Sequence, residues 1–541
     1  GGYSGVKKHS KGYSYSFVDH FENGIPNGLD TTSSTRYYRN DIESNHEVEA
    51  CFKAEYRPNR QNDFTAYFGI SPSKTKASSS SNTYRKECID DIGEYDYSIQ
   101  REDLQCFSFG ATGIGWQHRF AQPNQSIGIF LNSEYDFGKG ITKDLRNFKN
   151  HPNLNRDIIN TNDFTDIGCD AKVEYTHPYR LPNAEGKTQH HGEIYLSLTN
   201  VLKPDNNIGL YDTLSTDGYV TDWNRSENRR FSTNKATGTL MVLHHIGHSI
   251  TIKPGISWEY TWIKSHHLDT PQYDTLLRYA YWRPSLHISY RTPSMHNFSF
   301  SYTRKTYYPW VRYFTRKKMY AEESFSIGNP SLKPTLIDIF ELSWAKYADQ
   351  LGSISVKGYF NNSINAINMV GDVAYDSLWN RVVPFSIPVN LNKYYEAGGE
   401  FNLTYRPSPT FNVRLETNAY NSHIETYYDK TQDSLICSNM WSCNLRLGTW
   451  VKLWNKLELH ATAYYNSPTQ TLFATHQTAY GIDCGLRADF FDSRLSFLFN
   501  AFDIFNWNKE DDYTYNPYFI SYESDKVNSR YISLELIYRI W

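Results

Sequence analysis

The sequence closes on SRYISLELIYRIW, residues 529–541. Ile532, Leu534, Leu536, Tyr538 and Ile540 fall on one face of an extended chain, and Ser533, Glu535 and Arg539 fall on the other. That period of two marks a β-strand with one apolar and one wetter side. The strand ends on Trp541 with no polar tail after it, so it is expected to pair with the first strand or to lie under a neighbouring chain. Pairing with the first strand would make a barrel.

Composition bears on the same question. A chain of 541 residues can hold several soluble domains or one very large β-structure. Lys and Arg number 55 against 58 Asp and Glu, and a net charge of −3 excludes an argument from bulk charge for nucleic acid. Tyr 44, Phe 30 and Trp 13 make the chain 16% aromatic, yet its mean hydropathy is −0.64. No apolar run approaches the ~20 residues of a membrane-spanning helix. A membrane β-barrel reconciles these facts, because only alternate residues of each strand face lipid while lumen and loops stay polar.

The chain alternates short polar turns with long polar stretches. Nine short turns are legible, at PNRQND (58–63), AQPNQ (121–125), HPYRLPNAEGKTQ (177–189), HHIGH (244–248), TPSMH (292–296), ADQLGS (348–353), PSP (407–409), VKLWNK (451–456) and FDS (491–493). Apolar alternation flanks them, as in GIDCGLRADF (481–490) and RLSFLFNA (494–501). The long stretches, such as 71–103 and 503–530, are read as outer loops. Short periplasmic turns, long outer loops and strands of ~9–11 residues define the outer-membrane pattern. The fold class is therefore all-β: a single large transmembrane antiparallel β-barrel over residues 48–541. The turns imply about 20 strands. Residues 1–47 are a lead-in carrying either a first hairpin (YSYSF and TRYYR) or a plug junction, and a hairpin there would raise the count to the favoured 22 of plugged transporters. The opening GGYSG has neither Met nor a signal peptide, which points to a processed or truncated product.

SFSIGNPSLKPTLIDIFELSWA (324–345) resembles the GNP-x-LKP segment of TonB-dependent receptor barrels, and more closely the outer-membrane β-barrel family of receptor-like proteins beside them. KVEYTHPY (172–179), SFSYTRKTYYPW (299–310), GLRADFFDSRLSFLFNAFDIFNW (485–507) and the closing strand agree in order and spacing, over roughly 45–541. Two departures are Thr335, where the family often has an acidic residue, and Trp541, one residue past the usual aromatic end.

These motifs read as structural. Gly328 and Asn329 can take positive φ, while Pro330 and Pro334, flanking Lys333, hold the chain extended before a descending strand. Asp503 and Asn506 are expected to satisfy backbone groups where a strand leaves the membrane, with Phe505 and Trp507 in the aromatic belt. The closing alternation resembles the signal read by the barrel-assembly machinery.

Other constellations are weaker. Histidines pair at 190–191, 244–245 and 266–267, but adjacent strand residues face opposite sides, so no such pair chelates a metal through one face. No G-x-S-x-G, H-E-x-x-H or calcium-loop pattern occurs, so no catalytic residue, metal site or cofactor is expected. The seven cysteines read as free thiols, with Cys88–Cys106 and Cys437–Cys443 as conceivable disulfides. In KTYYPWVRYFTRKKMY (305–320), Tyr307, Tyr308, Trp310, Arg312, Arg316, Lys317 and Lys318 offer loop contacts to sugar or lipopolysaccharide. An aromatic girdle followed by a basic loop is the reading preferred for that stretch.

The resemblance implies the barrel of a TonB-dependent transporter in a Gram-negative outer membrane, taking in a bulky nutrient. Its lumen would be filled by a plug outside this chain, by a partner protein or by the long loops. TonB, a surface lipoprotein, lipopolysaccharide and membrane lipid are the implied partners. The alternative is a non-energised structural subunit of a larger outer-membrane complex.

Overall fold

The structure is a computed structural model. It describes residues 2–538 except 23–24, 88–93, 153–154, 183–187, 217, 321–323, 349–350, 378–380, 428–434, 454–455, 492–493, 508, 516–518 and 528. Arg539, Ile540 and Trp541 lie outside the described residues, as does Cys88.

Twenty antiparallel strands build the wall in chain order, each paired with the next. They are β1 (Gly2–Glu22), β2 (Ile25–Tyr56), β3 (Asn62–Glu87), β4 (Glu94–Arg119), β5 (Ser126–Phe148), β6 (Arg156–Pro182) and β7 (Thr188–Ser215). Next come β8 (Glu227–Ile246), β9 (Ile250–His267), β10 (Thr275–Arg291), β11 (His296–Tyr307), β12 (Thr335–Ala348) and β13 (Gly352–Ile364). The last seven are β14 (Lys393–Ser408), β15 (Phe411–Tyr427), β16 (Leu435–Leu453), β17 (Leu457–Asn466), β18 (Ala479–Phe490), β19 (Leu495–Phe502) and β20 (Tyr531–Tyr538). All nine expected turns join consecutive strands. YSYSF and TRYYR do pair as a first hairpin, with Tyr13 opposite Tyr38 and Ser16 opposite Thr35, but they are β1 and the outer part of β2, both already within the twenty, so the count does not rise to the favoured twenty-two.

The two ends meet through the final descent of the chain. Residues Phe519–Val527 pair with β1, from His20 against Phe519 to Gly12 against Val527. A short link then carries the chain into β20, which pairs with β19 from Phe502 against Tyr531 to Leu495 against Tyr538. One descending segment thus touches both the first strand and the penultimate one.

Side-chain alternation separates the two faces. Ile532, Leu534, Leu536 and Tyr538 of β20 are 63%, 67%, 70% and 67% exposed, as the lipid-facing side of a barrel must be when protein alone is considered. Leu198, Leu240, Trp258 and Trp282 continue that exposed outer side on β7–β10, in adjoining registers. The opposite side of the same strands carries Glu259, Thr261 and Arg283 and faces the lumen. Further round, Lys357 of β13 bridges Glu341 at 3.2 Å and Glu400 at 2.8 Å across the lumen side of three strands.

The strands are far longer than a membrane crossing needs: β2 has 32 residues and β7 has 28. Much of the stretch 71–103, read above as an outer loop, is instead strand, with Ser73–Glu87 paired to β2 and Glu94–Asp103 paired to β3. The Ser- and Lys-rich sequence has no apolar face because both sides of this extension stand in water. Ladder pairing alone satisfies its backbone.

Candidate functional site

The largest departure from a plain wall is at the outer mouth. The connections 308–334 and 365–391 carry a separate four-stranded sheet of residues 319–320, 325–326, 367–376 and 381–390. Phe325 and Phe385 sit opposite each other in its parallel pair, with ring centroids 5.2 Å apart. We refer to the two connections together as the shelf.

One side of the shelf rests on β8–β10. Phe314 and Leu332 pack with Ile263 of β9, flanked by Phe231, Leu277 and Tyr279. All four wall residues are on the lumen side, since they alternate with outward residues such as Trp262 and Trp282. The other side rests on β15, β16 and the connection between β17 and β18, where Ala366, Val370 and Leu391 pack with Ile424 of β15 and Leu472 of that connection and are flanked by Ile436 of β16. Between these two supports lie β11–β14, so the shelf crosses part of the mouth as a chord. The buried hydrophobic clusters of the described residues are found here, each large side chain contributing about 1.5–3 kcal/mol when fully buried.

Polar anchors fix the shelf in one position. Lys317 is buried and its Nζ donates to Asp269 Oδ2 at 2.5 Å and to the Ser226 carbonyl at 2.7 Å. Thr315 Oγ1 lies 2.5 Å from Nε2 of the fully buried His267. The Tyr308 hydroxyl donates to Glu259 Oε1 at 2.8 Å, and Lys318 Nζ reaches Asp376 Oδ2 at 2.6 Å. Burial pushes the Tyr308 phenol well above its ordinary range, with Glu259 adding to the shift. Burial holds the His267 imidazole below its ordinary value; Arg229 and Lys317 act in the same direction, while Glu227 and Asp269 oppose them.

The GNPSLKP motif is part of this assembly. Neither Gly328 nor Asn329 uses the positive φ open to it. Glycine is required at 328 because a Cβ would sit 2.4 Å from the Thr315 carbonyl oxygen, while the Gly328 N–H donates to that same oxygen at 2.7 Å. Asn329 donates from its backbone to Tyr313 O and from Nδ2 to Pro388 O, and Pro334 is fully buried. Lys333 is exposed; its backbone N–H donates to Asn390 Oδ1, and Asn390 Nδ2 returns a bond to Lys333 O. Pro330 lies in the turn between them. Thr335 opens β12 and donates to Asn365 O at 3.0 Å, a bond that a carboxylate there could not make.

The basic-aromatic stretch divides. Tyr308, Lys317 and Lys318 are taken up by internal partners, whereas Tyr307, Trp310, Arg312 and Arg316 remain exposed. Trp310 is 75% exposed and stacks on Tyr313 at 6.3 Å. The stretch is therefore neither one girdle nor one ligand patch.

Beside the shelf, Asp136, Asp166 and Asp205 stand opposite one another across β5–β7 on the lumen side. Directly opposed like charges weaken a sheet, so this row is under electrostatic stress.

At the far end of the barrel sequence, Asp503 and Asn506 do adopt left-handed backbone, with φ of 41° and 53°. Asp503 accepts from Trp507 N at 2.9 Å and from the Ser529 hydroxyl, and Asn506 Oδ1 accepts from Ser529 N at 3.2 Å. This knot ties the end of β19 to the start of the closing strand. Phe505 stacks on Trp507 at 4.4 Å, both rings exposed. The six described cysteines are free. Among the described residues no group of three metal-ligating side chains converges.

The sequence model of an outer membrane protein β-barrel family matches residues 118–538. The chain belongs to that family. Its place is the outer membrane of a Gram-negative bacterium. Solved structures with this family's type of wall include the ferric-catecholate import receptor Fiu of E. coli K12 (TM-score 0.55, 10% identity, 96% of this chain and 82% of that one). The siderophore receptor PiuA of Acinetobacter baumannii gives 0.54 and 10% over 96% and 82% of the two chains. The ferripyoverdine receptor of Pseudomonas aeruginosa gives 0.53 and 10% over 96% and 72%. At such identity the likeness is one of fold, that of a TonB-dependent receptor barrel. No protein with a curated description matches this sequence.

Proposed function

We propose that this family member is the barrel of a TonB-dependent-type importer that captures a bulky nutrient at its outer mouth and is not an enzyme. The supporting observation is the shelf: two long outer connections fold inward onto the lumen side of the wall and are fixed there by buried ion pairs. A purely structural cylinder has no need of an ion-paired barrier in its mouth. The shelf restricts entry on one side and leaves the polar lumen beside β5–β7 as the route inward. In this reading a plug outside this chain fills the lumen from the periplasmic side and takes energy from TonB. In this scheme the exposed Tyr307, Trp310, Arg312 and Arg316 make first contacts at the mouth, alongside a surface lipoprotein. Insertion would use the closing strand as the signal for the assembly machinery.

The test is deletion of the gene in its native host, followed by growth on single nutrient sources and crosslinking of the full-length protein to TonB. Loss of growth on one bulky nutrient, together with a TonB crosslink, is expected. Unchanged growth on every source, with the protein isolated in a fixed complex and no TonB crosslink, would replace this reading with the structural-subunit one.

A further inference from the structure

Five histidines stand near the periplasmic end of the wall: His118 on β4, His177 on β6, His190 on β7, His244 on β8 and His296 on β11. Strand alternation puts every one on the lipid side. His118 shares its face with Ile114 and Trp116, His177 with Val173 and Tyr175, and His190 with Leu196 and Leu198. His244 shares its face with Leu240, and His296 with Phe298. The rings lie at the level where Trp and Tyr form the belt of a barrel.

Their orientation is set in a common way. His118 Nδ1–H donates to Asn62 Oδ1 at 2.9 Å, which leaves Nε2 of that neutral ring without a proton, whereas His177 Nδ1 meets the Tyr175 hydroxyl at 3.2 Å and His244 Nδ1 the Tyr179 hydroxyl at 2.7 Å, both able to donate to it. Trp344 Nε1 donates to His296 Nδ1 at 3.1 Å, which leaves the proton of the neutral ring on Nε2. Ring contacts brace them further: His118 meets Phe120 edge-on at 4.8 Å, His190 stacks on His244 at 5.4 Å, and His296 stacks on Trp344 at 5.9 Å. The Tyr179–His244 bond passes over Gly192, where an added Cβ would lie 2.6 Å from the phenol oxygen. In four of the five, then, Nδ1 is engaged by the protein, and Nε2 has no protein partner among the described residues.

We propose that three histidines of this arc, His177, His244 and His296, bind the phosphate groups of glycerophospholipids in the periplasm-facing leaflet. The rings bury apolar bodies against the belt, as amphipathic side chains at an interface do, and direct a polar tip at headgroup height. An Nε2–H suits a phosphate oxygen, and hydrogen bonds to an ionised acceptor are the stronger kind. Lys346, exposed and opposite His296 in the ladder, adds positive charge on the same face. No third metal-ligating side chain joins any of these pairs among the described residues, so the ring nitrogens do not form a chelating cluster.

The test compares two threefold variants of the whole chain at positions 177, 244 and 296. His→Asn keeps an amide at the Nδ1 position only, whereas His→Gln places one near Nε2. Each protein in detergent is titrated with short-chain phosphatidylglycerol and with a glucosyl diacylglycerol of equal chain length, bound lipids being counted by native mass spectrometry. The wild type and the Gln variant should hold the phospholipid about tenfold more tightly than the glycolipid, and the Asn variant should lose that preference. Absence of a preference in the wild type, or its survival in the Asn variant, overturns the proposal and leaves only an apolar belt. Should a threefold variant fail to fold, single His244→Asn and His244→Gln proteins are read by the same criteria with a smaller ratio.

Discussion

The wall and the shelf obey different rules, although one chain builds both. Along β8 and β9 a side chain's surroundings follow from whether its number is odd or even: Leu240 and Trp258 face outward, and Thr239 and Glu259 face inward. Many substitutions that preserve this alternation would preserve the wall. In the shelf no period operates. Its position depends on single contacts, such as Lys317 on Asp269, Gly328 against Thr315 and Asn390 holding Lys333. A repeating pattern thus tolerates local change, while a structure held by individual polar contacts can be released by one substitution.

The largest expected effect follows from that difference. Lys317→Ala would leave the partly buried Asp269 without its cation, and removal of one partner from a buried pair costs up to about 3–5 kcal/mol. Hydrogen exchange should accelerate throughout 308–334 and stay unchanged in β2–β7; equal acceleration in both would show that shelf and wall are one cooperative unit.

On the wall, parity should decide the outcome. Leu240→Arg places a charge near mid-membrane and should destabilise the folded barrel in vesicles by about 2–4 kcal/mol, whereas Thr239→Arg should change it little. Denaturant titration of both proteins checks this, and similar losses would break the assignment of faces. Gly328→Ala is expected to cost about 1–3 kcal/mol through overpacking on Thr315, again seen as faster exchange in the shelf.

The smallest effect is that of pH. His267 is buried and neutral when the shelf is docked, and burial lowers its proton affinity relative to the released loop. Docking is therefore strongest above the free value of about 6.5 and weakens as pH falls through and below it, by at most about 1.4 kcal/mol per pH unit. Exchange in 308–334, corrected for intrinsic rates, should rise on acidification, and His267→Gln should flatten the dependence.

The sequence showed the wall because its signals repeat: apolar alternation runs along each strand, and the polar turns at PNRQND, TPSMH and the seven others each join two consecutive strands at one end of the wall. It misread the tall outer wall, since a Ser-rich strand wet on both sides looks like a loop when only hydrophobic period is followed. The shelf was hidden for a different reason. Lys317 meets Asp269 across 48 residues and Asn390 meets Lys333 across 57, separations at which local pattern carries no information. The histidine pairs were read along the strand, where neighbours diverge. The contacts form across it, between His190 and His244 and between His191 and His245.

The central claim is that hydrocarbon solvates the outward side of this wall. Spin labels placed singly from residue 236 to residue 244, in protein reconstituted into vesicles, test it most directly. Collision with oxygen should peak at the even positions and collision with a polar nickel chelate at the odd ones. A smooth profile without that alternation, or chelate access at Leu240, would contradict it.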